Sequence, residues 1–467
     1  MQRFRNIDYL FYILFTTLFL FSLFHDWGYD DPFITYRYSK NLANGFGFVY
    51  NLDQKNLSTT TPFFTIILAI VYKITGNIPQ AAVFIGSFCI AISGLIFFRL
   101  SKIWNVEWVG YSGLFLYPTF PLVISTLGSE TPLYIALILL TFLSYFQNRY
   151  IPTAIFSSLT VLTRPDGLIV PVLLFTHYLI AHKPFHKKAI LSVILFVLIT
   201  GSWFIFSWFY FHDPLPVTLS VKQSQAKMEI SQKFAEGLLT IAKPYFRSLY
   251  PVALFLSAIG LINAFIRKRA ALLFLSWAFL YFSAYSILGV SRYFWYYAPL
   301  VSGFVVLVGL GFDWLGNRTK TLKFFLLILL IALFVIQVRD IWKIHSTPDS
   351  RLVIYREVGE WINENTRSDT MVGILEVGIV GYYANRTMID FAGLIQPSVS
   401  KIFSPQSTYQ DAAIWTIRNF HPSIIVLHEG LFPEVENLIA NNCNIKATFS
   451  GSDFNYPTNI NLYECKY

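Results

Sequence analysis

Two adjacent carboxylates, Asp30 and Asp31, follow the first long apolar segment, in the stretch HDWGYDDPFITYRYSKNLANG. An Asp followed by Pro is typical of a helix start, so Asp31 is predicted to be the N-cap and Pro32 the first helical residue. This assignment leaves Asp30 outside the cap. A carboxylate at a membrane surface stays ionised without the cost of burial, and it can accept a proton from a hydroxyl group as a general base.

The helix predicted from residue 32 to about residue 43 is too polar to span a membrane, so we expect it to lie in the membrane interface. Arg37 and Lys40 are its cations. They are the first of several basic residues predicted to share one side of the membrane with the two carboxylates. Cations opposite a carboxylate pair suit a reaction in which a phosphate group leaves while a hydroxyl group attacks.

The stretch LTRPDG places Arg164 and Asp166 between two apolar runs. Ionisable residues at the edge of a membrane segment are functional candidates, and Arg binds phosphate in a bidentate manner better than Lys does. The alternative is an internal Arg–Asp ion pair with a turn at Pro165. Both interpretations stay open at this level.

Four further residues are weaker candidates. Glu130 follows Ser129 at a predicted helix start, where an acidic residue stabilises the helix without any chemistry. His212 and Lys222 belong to HDPLPVTLSVK, and a lone His does not indicate zinc. Arg292 begins RYFWYY, which is either an interfacial aromatic belt or a wall for sugars and lipids.

The elements that must position these residues are apolar helices. The chain has 467 residues, of which 55% are hydrophobic and 13% are charged, with mean hydropathy +0.53. Soluble domains average about 25% charged residues, and a membrane-spanning helix needs ~20 apolar residues. The sequence therefore predicts a polytopic α-helical membrane protein. Its apolar runs lie near residues 8–24, 80–100, 107–127, 130–148, 150–163, 166–182, 187–211, 249–266, 270–289, 296–316 and 322–340.

The net charge of +9 is spread over short basic clusters between the runs, as the positive-inside rule predicts, which argues against a nucleic-acid partner. If all six clusters are cytoplasmic, the extra run 61–75 is a re-entrant or interfacial segment, because its length of roughly 22 Å is short of the ~30 Å hydrocarbon core. About eleven crossings then remain. Five segments and the tail face outward: residues 25–60 (the first external loop), 125–132, 162–167, 211–248 and 289–297.

The composition changes near residue 345, so the chain is divided into a membrane domain, 1–340, and a soluble extracytoplasmic α/β domain, 341–467. Residues 350–366 predict an amphipathic helix, and TMVGILEVG, TMIDFAG and SIIVLHE predict short buried strands. Glu376 and Arg386, near glycine turns, are expected to roof the membrane site. Cys89 is expected in the core, whereas Cys443 and Cys465 could pair if the domain is exported.

Several blocks of the sequence, taken in order, resemble the bacterial C-type (GT-C) glycosyltransferases, above all the mycobacterial cell-wall arabinofuranosyltransferases that add terminal residues. The blocks are DDPFITYRYSKNLANGFGFVYN, TTTPFFTIILA, SETPLY, LTRPDG, HDPLPVTLSVK and EVGIVGYYANRTMIDFAGL. They run from about residue 26 to residue 396. One departure lies in the first external loop, where the usual Gly-Glu-x-x-Gly-Tyr-Thr-Ser-Pro stretch is LDQKNLSTTTP.

The resemblance implies an inverting transferase that moves a sugar from a polyprenyl-phosphate donor to a glycan or lipid outside the bacterial cytoplasmic membrane. It also implies an acidic base in the first external loop, which is Asp30 or Asp31, and the capping pattern favours Asp30. Asp31 then caps the helix, binds a divalent ion or orients the acceptor. The cations expected to hold the departing phosphate are Arg164, Lys222 and Arg292.

Two alternatives belong to other classes. An oligosaccharide ligase or polymerase would use a diphosphate-linked donor, and the paired carboxylates argue mildly against it. A lipid or sugar transporter would place ionisable residues near the midplane and show paired broken helices in two halves, which the sequence does not show. Neither of the glycine-rich motifs for nucleotide binding, G-x-x-x-x-G-K-[ST] or G-x-G-x-x-G, occurs.

Overall fold

A computed structural model describes residues 6–52, 54–181, 187–229, 231–316 and 319–467. The basic cluster at residues 1–5 and parts of two others, residues 182–186 and 317–318, lie outside the described residues. The membrane half is helical. Its helices are α1 (Asn6–Phe24), α2 (Asp30–Ala43), α3 (Pro62–Thr75), α4 (Ile78–Ile103), α5 (Glu107–Phe115), α6 (Pro121–Ile124), α7 (Thr131–Phe146), α8 (Tyr150–Thr163), α9 (Ile169–Ala181), α10 (Lys187–Phe211), α11 (Thr218–Gln225), α12 (Phe234–Ala242), α13 (Tyr250–Ile266), α14 (Leu272–Leu288), α15 (Ala298–Gly316) and α16 (Lys320–Ser346).

The helices confirm a multi-pass membrane architecture but not the count of eleven crossings. Within the described residues, six helices are long and apolar enough to span a membrane, or seven if the pair around α12 and α13, bent by 120°, is one span. Four more apolar helices are shorter, among them α3, which has 14 residues. The predicted run 107–127 is not one helix, because α5 ends at Phe115 and α6 begins only at Pro121. Pro118 and Pro121 lack the N–H groups that a continuous helix would use.

The C-terminal part is an α/β domain built on one mixed sheet. Its elements are α17 (Arg351–Asn365), β1 (Met371–Ile374), α18 (Ile379–Ala384), β2 (Thr387–Asp390), α19 (Tyr409–Phe420), β3 (Ile424–His428), α20 (Pro433–Ile439), β4 (Cys443–Phe449) and β5 (Ile460–Cys465). The strand order is β2-β1-β3-β5-β4, with the first three strands parallel and the last two antiparallel. The predicted helix and the three predicted strands are confirmed, whereas the sequence did not indicate β4 and β5.

The two cysteines of this domain form the pair considered from the sequence. Cys443 and Cys465 are register partners on β4 and β5 and are joined by a disulfide, whereas Cys89 is a buried free thiol. The bond ties the last strand to the edge strand of the sheet. A cross-link over 22 residues stabilises a fold mainly by restricting its unfolded chain.

The C-terminal domain packs directly on α2. One hydrophobic cluster includes Phe33 and Tyr36 of α2, Val358 of α17 and Val380 of α18. Arg37, predicted to be a phosphate ligand, is buried in this interface. Its guanidinium donates to the carbonyl oxygens of Gly381, at 2.9 Å, and Arg386, and it lies 4.3 Å from the centre of the Tyr50 ring.

Two predictions about α2 are wrong. The helix begins at Asp30, with Tyr29 as the N-cap, so Asp31 is not the cap and Pro32 is not the first helical residue. Both acids lie in the first turn, where the helix dipole stabilises negative charge. The helix is also not an open interfacial helix: α3 and α18 pack against it and bury most of its side chains.

Candidate active site

The outward segments predicted from the sequence meet around one cavity of about 310 Å³ at a common end of the helices. Every one of the five segments contributes to its wall, and Leu394 of the C-terminal domain completes it. The lining residues are Tyr29, Asp31, Pro32, Ile34, Thr35, Ser58, Thr59, Thr60, Thr61, Glu130, Arg164, Pro165, Asp166, Leu215, Pro216, Thr218, Leu219, Lys222, Tyr285, Leu288, Val290, Trp295, Tyr296 and Leu394.

Asp31 and Lys222 form an ion pair inside the cavity. The Lys222 ammonium lies 3.5 Å from Oδ2 of Asp31, and the Lys222 side chain is only 5% exposed, against 34% for Asp31. The helix α2 begins two residues earlier than predicted, and the Asp31 carboxylate lines the cavity instead of capping its own helix. It is thus a partly accessible acid whose charge is balanced by a buried cation.

Lys222 is surrounded by aromatic rings. Its Nζ lies 4.6 Å from the ring centre of Tyr293, 5.2 Å from that of Trp295 and 5.5 Å from that of Tyr296. Burial alone would lower its pKa, but the Asp31 carboxylate and the neighbouring Tyr hydroxyls outweigh that effect and raise the pKa. The side chain therefore stays charged and is able to face a second anion in the cavity.

Arg164 forms the second ionic group, and both interpretations of LTRPDG apply to it. Its Nε and Nη2 donate to the two carboxylate oxygens of Asp166, at 3.1 and 2.9 Å, so the predicted internal pair exists. The Tyr285 hydroxyl contacts both Arg164 Nη2 and Asp166 Oδ2, at 2.7 Å each. The remaining nitrogen, Nη1, makes only a long 3.5 Å contact with Glu130. Arg164 is therefore held rigidly through Nε and Nη2, and its longest ionic contact is the one from Nη1 to Glu130.

Asp30 does not line the cavity. Its Oδ1 accepts from the backbone N–H of Ile379, at 2.7 Å, and its Oδ2 accepts from that of Gly378, at 3.1 Å. Burial raises its pKa to about 7, the N–H of Ile379 opposes that rise, and the Glu376 carboxylate adds to it. The Asp30 side chain thus attaches α18 to the start of α2.

Other predicted residues are not brought into the cavity. Arg37 lies in the domain interface, and the Lys40 ammonium is 5.0 Å from the ring centre of Tyr382. His212 is exposed with a left-handed backbone, φ 59°, and Arg292 packs its aliphatic stem against Gly237. Glu376 pairs with His428, at 3.3 Å, and Arg386 donates to Asn363 and Thr366, so neither roofs the cavity.

Sequence reasoning did not single out two sets of cavity residues. One is Tyr285 within α14, whereas Trp295 and Tyr296 belong to RYFWYY, for which a wall for sugars and lipids was one of the two interpretations. The other is the run Ser58 to Thr61, which appeared in the compared blocks without a role of its own. Four consecutive hydroxyl residues next to an apolar helix were the available signal for the second set.

In the described part of the chain, no group of three or more His, Cys, Asp and Glu side chains could hold a metal ion. Asp31, considered above as a possible ligand, has the Lys222 ammonium as its ion partner. The cations that line the cavity are Arg164 and Lys222.

Comparisons with known sequences cover little of this chain. A family model described as a domain of unknown function (DUF8728) matches residues 343–463 of the C-terminal part. No curated protein matches the chain.

Solved structures match nearly its whole length. ArnT from Cupriavidus metallidurans in the apo state has a TM-score of 0.63 at 12% identity, covering 98% of this chain and 97% of that one. The Archaeoglobus fulgidus oligosaccharyltransferase has a TM-score of 0.64 at 13% identity, over 97% and 74%. Arabinofuranosyltransferase AftD from mycobacteria has a TM-score of 0.55 at 14% identity, and the match covers 99% of this chain and 40% of that one. Further structures hold undecaprenyl phosphate, in ArnT, and dolichol-phosphate with an inhibitory peptide, in the oligosaccharyltransferase AglB.

Identities of 12–14% establish a common fold and nothing finer. The three matched structures share a helical membrane half and come from enzymes of the C-type class. The chain described here therefore has the predicted GT-C fold.

Proposed function

We propose that this protein is an inverting membrane glycosyltransferase that moves a sugar from a polyprenyl-phosphate donor to a hydroxyl of a cell-envelope glycan or lipid. The observation that carries the proposal is a cavity lined by the Asp31 carboxylate and by two cations, Arg164 and Lys222, the second of which lies 3.5 Å from Asp31. The lipid phosphates bound by ArnT and AglB support a donor of this kind.

Asp31 is the better general base of the two neighbouring acids, which reverses the preference drawn from the sequence. Its carboxylate lines the cavity, whereas both oxygens of Asp30 already accept backbone N–H bonds. A base must reach the proton that it removes, so the first requirement is geometric. Asp30 is then a positioning residue for α18.

The cations suit the leaving group. Asp31 takes the proton of the acceptor hydroxyl as its oxygen bonds to the anomeric carbon. The bond from that carbon to the phosphate oxygen breaks on the opposite face, and the electron pair leaves with the lipid phosphate. Lys222 and Nη1 of Arg164 are the groups that stabilise this anion, by electrostatic interaction with its negative charge.

The cavity and the C-terminal domain are proposed to face the outside of a bacterial cytoplasmic membrane. The disulfide between Cys443 and Cys465 supports this orientation, because such bonds persist in oxidising compartments. The basic clusters that punctuate the apolar runs support it as well.

The test is turnover by purified protein in lipid nanodiscs with a panel of polyprenyl-monophosphate sugars and a crude envelope acceptor. We expect transfer by the wild type, and a loss of about 10²–10⁴-fold in Asp31→Asn. Asp30→Asn is the matched control, with the same chemical change one residue away, and should keep most of its turnover per folded molecule. Equal loss in both variants would contradict the assignment of the base, and no transfer from any monophosphate donor would favour an oligosaccharide ligase that uses a diphosphate-linked donor.

A further inference from the structure

We propose that the cavity accepts a neutral sugar with free hydroxyl groups, an unmodified pentosyl or hexosyl unit, in preference to amino sugars or uronic acids. This inference rests on the proposed function and names the substrate class of the same site. The surface that would bind the sugar consists of Thr35, Ser58, Thr59, Thr60, Thr61 and Thr218, here called the hydroxyl wall.

Charged and neutral polar groups are segregated in the cavity lining. All five charged lining residues belong to the two ionic groups described above, and the hydroxyl wall contains none of them. The remaining neighbours of the wall are apolar, namely Ile34, Leu215, Pro216, Leu219 and Leu394. The cavity therefore has an ionic part and an uncharged, hydrogen-bonding part.

Helix geometry places these two parts one turn apart. On α2, Thr35 follows Asp31 by four residues, and on α11, Thr218 precedes Lys222 by four residues. Four residues of α-helix rise about 6 Å and return to the same face. Both helices thus present a charged group and, one turn away, a hydroxyl group to the same cavity. A sugar ring fits this interval, with its anomeric carbon at the ionic part.

The wall combines a fixed framework with unused hydrogen-bonding capacity. The hydroxyls of Thr35, Thr59 and Thr61 form a closed triangle with distances of 3.0 to 3.2 Å, and Thr218 donates to the carbonyl of Ser58. Within the described residues, the half-buried Thr60 makes no side-chain hydrogen bond, and the buried Ser58 Oγ has no partner. A hydroxyl both donates and accepts, so it complements the hydroxyls of a sugar.

A charged sugar would be penalised at the same place. An ammonium or carboxylate lying on the hydroxyl wall would lose water and find no opposite charge there, because none of the five charged lining residues belongs to the wall. Burying an unpaired charge costs far more free energy than burying a hydroxyl that keeps a hydrogen bond. The hydroxyl wall thus favours neutral over charged sugars in two ways: it forms hydrogen bonds with sugar hydroxyls, and it removes water from a charged group without supplying an opposite charge.

The experiment compares donors that differ only in the sugar: polyprenyl-phosphate pentose, hexose, aminopentose and hexuronate, with unglycosylated polyprenyl phosphate as the reference. Binding to wild-type protein in nanodiscs and single-turnover transfer are both measured. We expect the neutral sugars to be preferred by at least tenfold in kcat/KM. Thr60→Val should reduce kcat/KM for the neutral donor by about tenfold, as loss of one hydrogen bond implies, without changing the affinity for unglycosylated lipid phosphate.

Two controls keep the outcomes separate. Thr75→Val removes an exposed hydroxyl at the far end of α3 and should leave every donor unchanged, and thermal unfolding verifies that Thr60→Val is folded. Preferred transfer of a charged sugar, or equal use of all sugars, would overturn the inference while leaving the proposed function standing. Failure to bind any lipid phosphate, glycosylated or not, would overturn both.

Discussion

At the residue scale, two neighbouring carboxylates have separate structural partners. Asp30 accepts two backbone N–H groups from α18, whereas Asp31 pairs with the Lys222 ammonium across the cavity. Their positions in the first turn of α2 differ by about 100° around the helix axis, so adjacent side chains necessarily point to different surroundings. One acid therefore serves the assembly of the fold and the other remains available for chemistry.

Removing the charge of Lys222 tests the leaving-group role. Lys222→Met keeps a long side chain among Tyr293, Trp295 and Tyr296 but deletes the ammonium. We expect kcat to fall by about 10²–10³-fold, the usual effect of removing one group that stabilises developing negative charge. Lys227→Met, five residues further along the chain and exposed, should retain activity. Normal turnover in Lys222→Met would remove this residue from the mechanism.

The pH dependence of stability tests the buried state of Asp30. Its pKa is raised from 3.8 to about 7, chiefly by burial, so the folded protein holds this proton more tightly than the unfolded chain does. The stabilisation from that proton is complete below about pH 4 and is lost as the pH rises through 7. Asp30→Asn does not titrate there. We therefore expect the thermal stability of the wild type, relative to Asp30→Asn, to decrease between pH 5 and pH 8.

An exposed substitution, Asp453→Asn, controls for the general effect of deleting a carboxylate. The melting temperatures of the three proteins are measured in the same detergent across that interval. A wild type that gains stability over Asp30→Asn as the pH rises would show that the N–H bonds of Gly378 and Ile379 outweigh burial.

At the scale of elements, α2 connects the two halves of the molecule. It lies against α3 on one side and α18 on another, and its first turn reaches the cavity. Gly378, at the N-cap of α18, approaches the backbone of Asp30 so closely that an added Cβ would overlap the Asp30 carbonyl and side chain. The contact between α2 and α18 thus depends on the absence of a Cβ at Gly378 as well as on the hydrogen bonds to Asp30.

Gly378→Ala should loosen this junction. Because the overlap is with backbone atoms, relief requires a shift of α18, and we expect a loss of roughly 1–3 kcal/mol in the free energy of unfolding. Limited proteolysis should also release the C-terminal domain faster. Gly201→Ala on α10, where an added Cβ meets no atom within 4 Å, is the matched control and should be neutral. Equal behaviour of the two variants would contradict the close approach.

At the scale of the whole molecule, the cavity is assembled from segments spread between Tyr29 and Leu394. Five segments between the membrane helices contribute to its wall, and the C-terminal domain contributes Leu394. A site built this way requires the C-terminal domain to lie on the same side of the membrane as the segments that line the cavity. The orientation of the C-terminal domain is therefore linked to the proposed site.

The disulfide offers a test of that orientation. In intact cells, we expect Cys443 and Cys465 to react with a membrane-impermeant maleimide only after reduction, and Cys89 to stay unlabelled because it is buried. Replacing both cysteines with Ser should cost about 2–4 kcal/mol of stability. Labelling only after permeabilisation of the inner membrane would place this domain in the cytoplasm, whereas labelling of intact cells without reduction would contradict the disulfide.

The sequence alone determined much of the fold because hydrophobic runs and their spacing are local properties. Apolar length predicted the membrane helices, an amphipathic pattern predicted α17, and short apolar runs predicted the three parallel strands. The ordered motifs predicted the GT-C fold that the matched structures share. Lys222, Arg164 and Asp31 were also on the predicted outward face, and all three line the cavity.

Tertiary structure alone decided which of these side chains meet. The N–H groups that occupy Asp30 lie almost 350 residues away in the chain, and Arg37 is buried by the same domain. Strand β5 pairs with the edge of β3, and β4 pairs with β5, to which the disulfide also joins it. No local sequence pattern indicated these two antiparallel strands. The charge of a side chain and the length of a helix follow from residues that are neighbours in the sequence. The desolvation of a charged group and its ion partner depend on atoms that only folding brings into contact with it.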